Sequence, residues 1–356
     1  MIRVLVVEDT AVVREFLVHI LGSDPGIEVV GTANNGEEAI EAVERTRPDV
    51  ITMDVHMPKL NGLDATRRIM EAHPTPIVIV SGSSNAREVA WTFQAMDAGA
   101  LAAVERPRGI GHPDYERTAA GLVQTVKLMS EVKVVRRWAR LRRESPLAPV
   151  PFRAGVEVPR VRTEIQLVAI GASTGGPPAL QRILSGLTAD LPVPVLIVQH
   201  ISPGFVGGFA EWLQQTSALP VHVAKHGERI CPEHVYVAQD GFHMAVERDG
   251  TLSLTKDEPE NGHRPSVSYL FRSVANVFGE KAIGVLLTGM GKDGAEELRI
   301  MRDKGAITIA QDKESSVVHG MPGEAIQLDG ATYVLEPAGI AAVLAGLRNH
   351  RKRMES

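Results

Sequence analysis

Short apolar runs alternate with segments of helical period from the first residues onward, in two long stretches, and that alternation decides the fold class. IRVLVVE reads as a buried strand and TAVVREFLVHIL as the amphipathic helix after it. IEVVGTA is followed by GEEAIEAVERTR, DVITMD by GLDATRRIMEAH, PIVIVS by NAREVAWTFQAMDAG, and ALAAVE by a helix beginning near Tyr115. Near-continuous apolar strands are those buried on both faces of a parallel sheet. Five strand–helix pairs in succession therefore predict an open, doubly wound parallel α/β domain. The alternation resumes at IQLVAI and runs to a last helix, PAGIAAVLAGLRNHRKR, which predicts a second domain of the same class. Inside it, MAVERDGTLSLT carries a central Asp249–Gly250 pair, the best β-hairpin signal in the chain.

Between the halves the character changes. A basic helical segment (Lys133, Arg136, Arg137, Arg140, Arg142, Arg143) leads into a proline-rich one. Such a run is either an anion or partner site or, as charge runs more often are, a solvated linker helix. The expected division is a first domain over 1–125, a linker over 126–163 and a second domain over 164–350. A length of 356 residues accommodates that arrangement. With 38 Lys and Arg against 43 Asp and Glu, the net charge of −5 gives no reason to expect a nucleic-acid partner. The lone Cys231 excludes an internal disulfide and a thiolate metal cage. No leader-like segment opens the chain, and no run approaches the roughly 18 apolar residues that span a bilayer. A cytoplasmic location without membrane insertion is expected.

Ligands of an open parallel sheet bind beyond the carboxyl ends of its strands. In the first half those ends carry Glu8 and Asp9, Asp54, Ser81, and Arg106 before Pro107. Singly, each is an ordinary loop acid or helix cap. Jointly, three carboxylates in one crevice call for a divalent cation, and hard oxygen ligands suit Mg²⁺. One carboxylate can then act as nucleophile toward a phosphoryl group, with the metal, the Ser81 hydroxyl and a cation neutralising the phosphate oxygens.

VLVVEDT, TMDVHMPKLNGLDA and IVSGSS, with a basic residue before Pro107, resemble a response-regulator receiver domain of the flavodoxin-like fold over residues 1 to about 125. The resemblance implies that Asp54 is the phosphoacceptor. It also implies that Glu8, Asp9, Asp54 and the His56 backbone carbonyl hold Mg²⁺, that Ser81 and Arg106 contact the phosphoryl group, and that a sensor histidine kinase is the phosphodonor. Two positions depart from the family. Arg106 stands where Lys is usual, and a planar guanidinium is not a point charge. Ala103 stands where an aromatic switch residue is common. Phosphorylation is expected to persist, and these departures bear on its coupling to output.

In the second half GASTGGPP follows a strand directly, so glycines and small residues around Ser173 permit a tight turn and close substrate approach. Pro177 and Pro178 suit a first helical turn, and backbone N–H groups at that helix start can hold an oxyanion. Alone, this is as much a phosphate loop as a catalytic serine. His200 ends the next apolar strand, and Asp293 lies in GMGKDGA after the strand AIGVLLT, both on the same sheet edge. Serine, imidazole and carboxylate from three strand ends make a nucleophile, a general base and its orienting acid. GMGKDG also has the spacing of a dinucleotide fingerprint, with Asp312 at the end of the next strand. Against that, Asp293 would face the pyrophosphate, and the motif does not open its domain. His222 and His226 look like a metal pair, but on a strand they lie about 13 Å apart. Both are expected to be surface residues.

The stretches GASTGGPPAL, VPVLIVQHISPGF, VYVA, HRPSV, GVLLTGMGKDGA and SSVVHGMPGEAI resemble the catalytic domain of the chemotaxis protein-glutamate methylesterases over about 164–350. The resemblance implies catalytic Ser173, His200 and Asp293, with Thr174 and the Met290 backbone as oxyanion helpers. It implies hydrolysis of glutamyl methyl esters on methyl-accepting chemoreceptors, with deamidation of receptor glutamines, and no cofactor for the ester chemistry. Ser268, where the family often has Asp, and the VYVAQDGFH loop depart from the pattern and are expected near the substrate groove, clear of the triad. The unphosphorylated first domain is expected to occlude the Ser173 edge. The competing expectation is a signalling adaptor, or a regulator in a non-chemotaxis pathway, with a reduced esterase half.

Overall fold

The computed structural model describes residues 1–82, 86–132, 134 and 165–347. The chain divides into two units, Met1–Val156 and Glu157–Ser356. The predicted basic linker helix lies outside the described residues.

In the first unit β1 (Ile2–Val7), β2 (Ile27–Ala33), β3 (Val50–Met53), β4 (Ile77–Ser81) and β5 (Ala102–Glu105) form one parallel sheet in the order β2-β1-β3-β4-β5. The helices between them are α1 (Ala11–Gly22), α2 (Gly36–Thr46), α3 (Gly62–Ala72) and α4 (Ala86–Asp97), and α5 (Tyr115–Ser130) follows β5. Local chemistry sets the helix starts. Asn35 Oδ1 accepts from the N–H groups of Glu37 and Glu38, both at 3.1 Å, and its amide reaches Glu38 Oε1 at 2.7 Å, a reciprocal cap for α2. The strand order reverses between β1 and β3, which opens a crevice at their carboxyl ends.

The second unit is built around seven parallel strands in the order β14-β13-β12-β6-β7-β9-β8. These are β6 (Leu167–Ala172), β7 (Val195–Gln199), β8 (Val221–Val223), β9 (Val235–Val237), β12 (Ala282–Leu286), β13 (Ile307–Gln311) and β14 (Tyr333–Leu335). Its helices are α6 (Gly176–Leu184), α7 (Val206–Gln214), α8 (Val267–Val277), α9 (Ala295–Asp303), α10 (Met321–Gln327) and α11 (Pro337–Ala345). The three central strands, β12, β6 and β7, are buried along their whole length, as both-face burial requires. The expected hairpin forms from β10 (His243–Val246) and β11 (Leu252–Thr255), antiparallel, with Gly250 at φ +78° in the turn. No described helix is long and apolar enough to cross a membrane.

The strand around VHVAKH differs from expectation. β8 stops at Val223, so His226 falls in the turn after it and is exposed, its Nδ1 accepting the Leu254 N–H at 3.1 Å. His222 is half-buried rather than on the surface. Its ring meets Tyr236 edge-on, with centroids 4.6 Å apart.

Candidate active site

The sheet order turns the reading of strand ends into geometry. β6 lies between β12 and β7, so the residues that follow these strands leave the sheet side by side at the point where the order reverses. His200 N–H donates to Ala172 O at 2.9 Å, and Ser173 N–H donates to Thr288 O at 3.0 Å, binding the three loops to one another. The Gln199 amide donates to Ser173 O at 2.8 Å and to His200 O at 2.9 Å. Close approach here requires glycine. Gly175 has φ +77°, and a Cβ on it would lie 2.5 Å from Val317 Cβ. A Cβ on Gly289 would lie 2.6 Å from Ser173 Cβ and closer still to Met321 Sδ. Gly289→Ala is therefore expected to destabilise the fold by about 1–3 kcal/mol and to lower turnover by displacing Ser173. Denaturant unfolding alongside an ester-hydrolysis assay checks both.

Asp293 is 1% exposed, and five donors surround its carboxylate. Oδ1 accepts from Asn261 Nδ2 (3.0 Å), Ser266 Oγ (2.7 Å) and Ser268 N (3.1 Å). Oδ2 accepts from Val267 N (2.7 Å) and lies 2.9 Å from His200 Nε2. Burial pushes this carboxyl up, but the His200 hydrogen bond and charge, with the Ser266 and Val267 donors, outweigh it and hold the group well below the carboxylate range. An ionised Asp293 can only accept, so the facing Nε2 carries a proton, and in the neutral tautomer the lone pair is then on Nδ1. That Nδ1 is buried and has no hydrogen-bond partner among the described residues. Ser173, 9% exposed, makes no hydrogen bond to it, and catalytic hydrogen bonds are often long until substrate binds. The Ser173 N–H is committed to Thr288 O and is not free for a ligand. Thr174 is fixed by Thr288 Oγ1, which donates to its carbonyl at 2.9 Å, and Met290 stands 41% exposed on the opposing loop.

Sequence reasoning missed much of this cage. Ser268, expected to lie clear of the triad, donates its N–H to Asp293, and its hydroxyl donates to Glu297 Oε2 at 2.6 Å while accepting from Gly294 N at 2.9 Å. Asn261, His263 and Ser266 come from the loop before α8, about thirty residues upstream of Asp293, so local spacing held no sign of their contact. In the departing VYVAQDGFH loop, Asp240 accepts the Gly204 N–H at 2.7 Å and so ties down the segment after His200. Asp312, the acid a dinucleotide site would have used, accepts the Ser315 N–H at 3.0 Å within its own turn.

In the first unit the crevice at the β1–β3 reversal gathers Glu8, Asp9 and Asp54, with ligand oxygens all within 4.8 Å of one another. Among the described residues this is the one group of that kind. Arg106 Nη2 reaches Glu8 Oε2 at 3.0 Å and Asp54 Oδ2 at 3.8 Å, so the guanidinium spans the crevice despite replacing a lysine. Burial, then the Asp54 charge, pushes the Glu8 carboxyl up to about 7, and burial also raises Asp54. Three carboxylates this close repel one another when ionised, and their hard oxygens are a donor set that fits a divalent cation. Ser81 ends β4, paired with Glu105 in the sheet, and its carbonyl accepts the Arg106 N–H at 2.8 Å. The His56 N–H lies 3.4 Å from Asp54 Oδ1, and its ring lies against Trp91 with centroids 5.2 Å apart. Ala103, on β5, leaves the aromatic position empty of a ring.

The first unit thus carries a crevice of three carboxylates, and the second a buried histidine–aspartate pair beside a serine. Residues 4–111 match the response regulator receiver domain family, and residues 168–344 match the CheB methylesterase family. A protein-glutamate methylesterase/protein-glutamine glutaminase of Nitrosospira multiformis is 61% identical over 349 residues, covering 98% of this chain and 97% of that one. One from Geobacter metallireducens is 58% identical over 348 residues, covering 98% and 99%. The crystal structure of the Thermotoga maritima CheB methylesterase catalytic domain superposes with a TM-score of 0.50 at 38% identity, covering 52% of this chain and all of that domain. The chain belongs to the CheB family of receiver-linked protein-glutamate methylesterases. The names of these relatives favour the hydrolase over the adaptor.

Proposed function

We propose that residues 164–350 form a serine esterase that hydrolyses glutamyl methyl esters on methyl-accepting chemoreceptors and deamidates receptor glutamines. In this reading residues 1–125 are a receiver that controls it, joined through the linker 126–163, and the protein acts in the cytoplasm. The observation that carries the reading is the His200–Asp293 pair, at 2.9 Å, on strand ends flanking Ser173. Ser173 Oγ attacks the ester carbonyl carbon while His200 Nδ1 takes its proton. Thr174 and the Met290 backbone stabilise the oxyanion. His200 then returns the proton to the departing methoxy oxygen, and methanol leaves an acyl-serine. Water attacks that acyl group with His200 again as base, which frees the glutamate carboxylate and restores Ser173. With a glutamine side chain the leaving group is ammonia. Asp293 holds the ring and stabilises the imidazolium that forms in each step.

Asp54 is the proposed phosphoacceptor, supplied by a sensor histidine kinase, with Ser81 and Arg106 contacting the phosphoryl group. Glu8, Asp9, Asp54 and the His56 carbonyl would hold Mg²⁺, which when bound supplies charge neutralisation for phosphoryl transfer. Phosphorylation relieves inhibition by the receiver. The test is methanol release from a methyl-esterified chemoreceptor fragment with and without a small-molecule phosphodonor and Mg²⁺. The wild type is expected to rise by about fivefold or more, and Asp54→Asn to stay at its unstimulated rate. An equal rise in both would sink Asp54 as the acceptor.

A further inference from the structure

Hydrogen bonds fix the His200 ring at one atom, Nε2, and leave its faces to packing. One face is covered by the ring of His263, whose centroid lies 3.9 Å away and whose plane is within 10° of parallel. We propose that His263 is a positioning residue for His200, its flat face fixing the plane of the imidazole so that Nε2 stays on Asp293 and Nδ1 stays free for Ser173. The proposal rests on the esterase reading above.

The stack is delivered by a device built for it. Asn261 and Gly262 have φ of +52° and +78°, and Glu260 and His263 exchange both backbone hydrogen bonds, at 3.1 and 2.9 Å. This is a tight two-residue turn with positive φ at both central residues, for which Asn-Gly is the favoured pair. The same turn aims Asn261 at Asp293 Oδ1 and His263 at His200, so one turn touches both members of the pair. Arg272 fastens it from behind, with Nη2 at 2.6 Å from Glu260 Oε2 and Nη1 at 3.2 Å from Glu297 Oε1. Burial, followed by the nearby His200, pushes His263 down to about 4 against the opposing pull of Asp293. The covering ring is therefore neutral at pH 7. A neutral π face tolerates, and modestly stabilises, the imidazolium that His200 becomes in each half-reaction. A second cation there would repel it. Tilting the ring off its plane would lengthen the Nε2–Asp293 bond and misdirect Nδ1, and small misplacements of a base cost large factors in rate.

The test compares the full-length wild type, His263→Ala, His263→Phe and Ser173→Ala. For methanol release from a methyl-esterified receptor fragment, His263→Ala is expected to lower kcat by about tenfold or more with KM changed less than about twofold. His263→Phe, which keeps a flat face, should recover most of the lost kcat. In NMR spectra the His200 ring protons should be shifted upfield by the stacked ring in wild type and His263→Phe and lose that shift in His263→Ala. Wild-type kcat in the alanine variant, a phenylalanine variant as slow as alanine, or no upfield shift in the wild type would each overturn the positioning role. If the alanine chain fails to fold, the phenylalanine variant and the wild-type spectrum still decide. Methanol release that survives Ser173→Ala would overturn the serine-nucleophile reading while leaving the ring-current shift intact.

Discussion

Ser173→Ala is expected to lower methanol release by about 10⁴-fold or more, with stability changed by less than about 1 kcal/mol. The two halves of that result have separate causes. In the proposed mechanism the hydroxyl oxygen is the atom that becomes acylated, so the rate left without it would come from oxyanion donors and binding alone. The fold is indifferent because the Ser173 hydroxyl makes no hydrogen bond among the described residues, while its backbone holds the loop through Thr288 and Gln199. His200→Ala should cost a similar factor. The double variant should be no slower than either single one, since residues that act as a unit lose their whole contribution when one is removed. Steady-state kinetics on the four chains checks this, and a multiplicative loss would mean that the two residues act independently.

Asp293→Asn carries the second large effect, and here both stability and turnover fall. All five partners of the carboxylate are donors: Asn261, Ser266, Ser268, Val267 and His200. An asparagine amide offers one acceptor oxygen and an NH₂ group that must face donors on the other side. Whichever way it turns, buried donors lose their acceptor. If the NH₂ meets His200, the imidazole must present a lone pair to it, the proton moves to Nδ1, and the base is lost. Turnover should drop by about 10³–10⁴-fold and stability at pH 7 by about 3 kcal/mol. The pH dependence has a fixed sign. The folded carboxyl lies below its ordinary 3.8, so its stabilisation is full above that value and fades as pH falls beneath it. The gap in stability between wild type and Asp293→Asn should therefore be wide at neutral pH and narrow under acid conditions.

The parts of the fold legible in the sequence were those where one physical demand acted alone. β3, β6, β7, β12 and the last four residues of β1 are buried on both faces, which near-continuous apolar runs satisfy. β14 escaped notice because it is an edge strand of three residues with Val334 47% exposed, too short and too wet to read as core. α10 has seven residues and opens on Met321 and Pro322, too few for a periodic stripe. The expected strand through His226 failed because the alternation of VHVAKH runs on past Val223, where the strand ends, into a turn that Gly227 completes with φ +75°. At the site, strand ends and glycines marked Ser173, His200, Asp293 and the Glu8–Asp9–Asp54 cluster, because sheet topology converts sequence position into place. Ser268 and His263 were not legible in the same way. Their contacts depend on α8 packing beside α9 and on a turn whose partners are distant in sequence, and no local pattern encodes which donor a buried carboxylate will find.

Isotope placement tests acyl transfer through Ser173 most directly. Hydrolysis of a methyl-esterified receptor fragment by the full chain is run in H₂¹⁸O, with phosphodonor and Mg²⁺ present, and both products are weighed by mass spectrometry. Attack on the acyl carbon predicts one ¹⁸O in the new glutamate carboxylate, unlabelled methanol, and neither product from Ser173→Ala. Labelled methanol, or unchanged hydrolysis by Ser173→Ala, would contradict it.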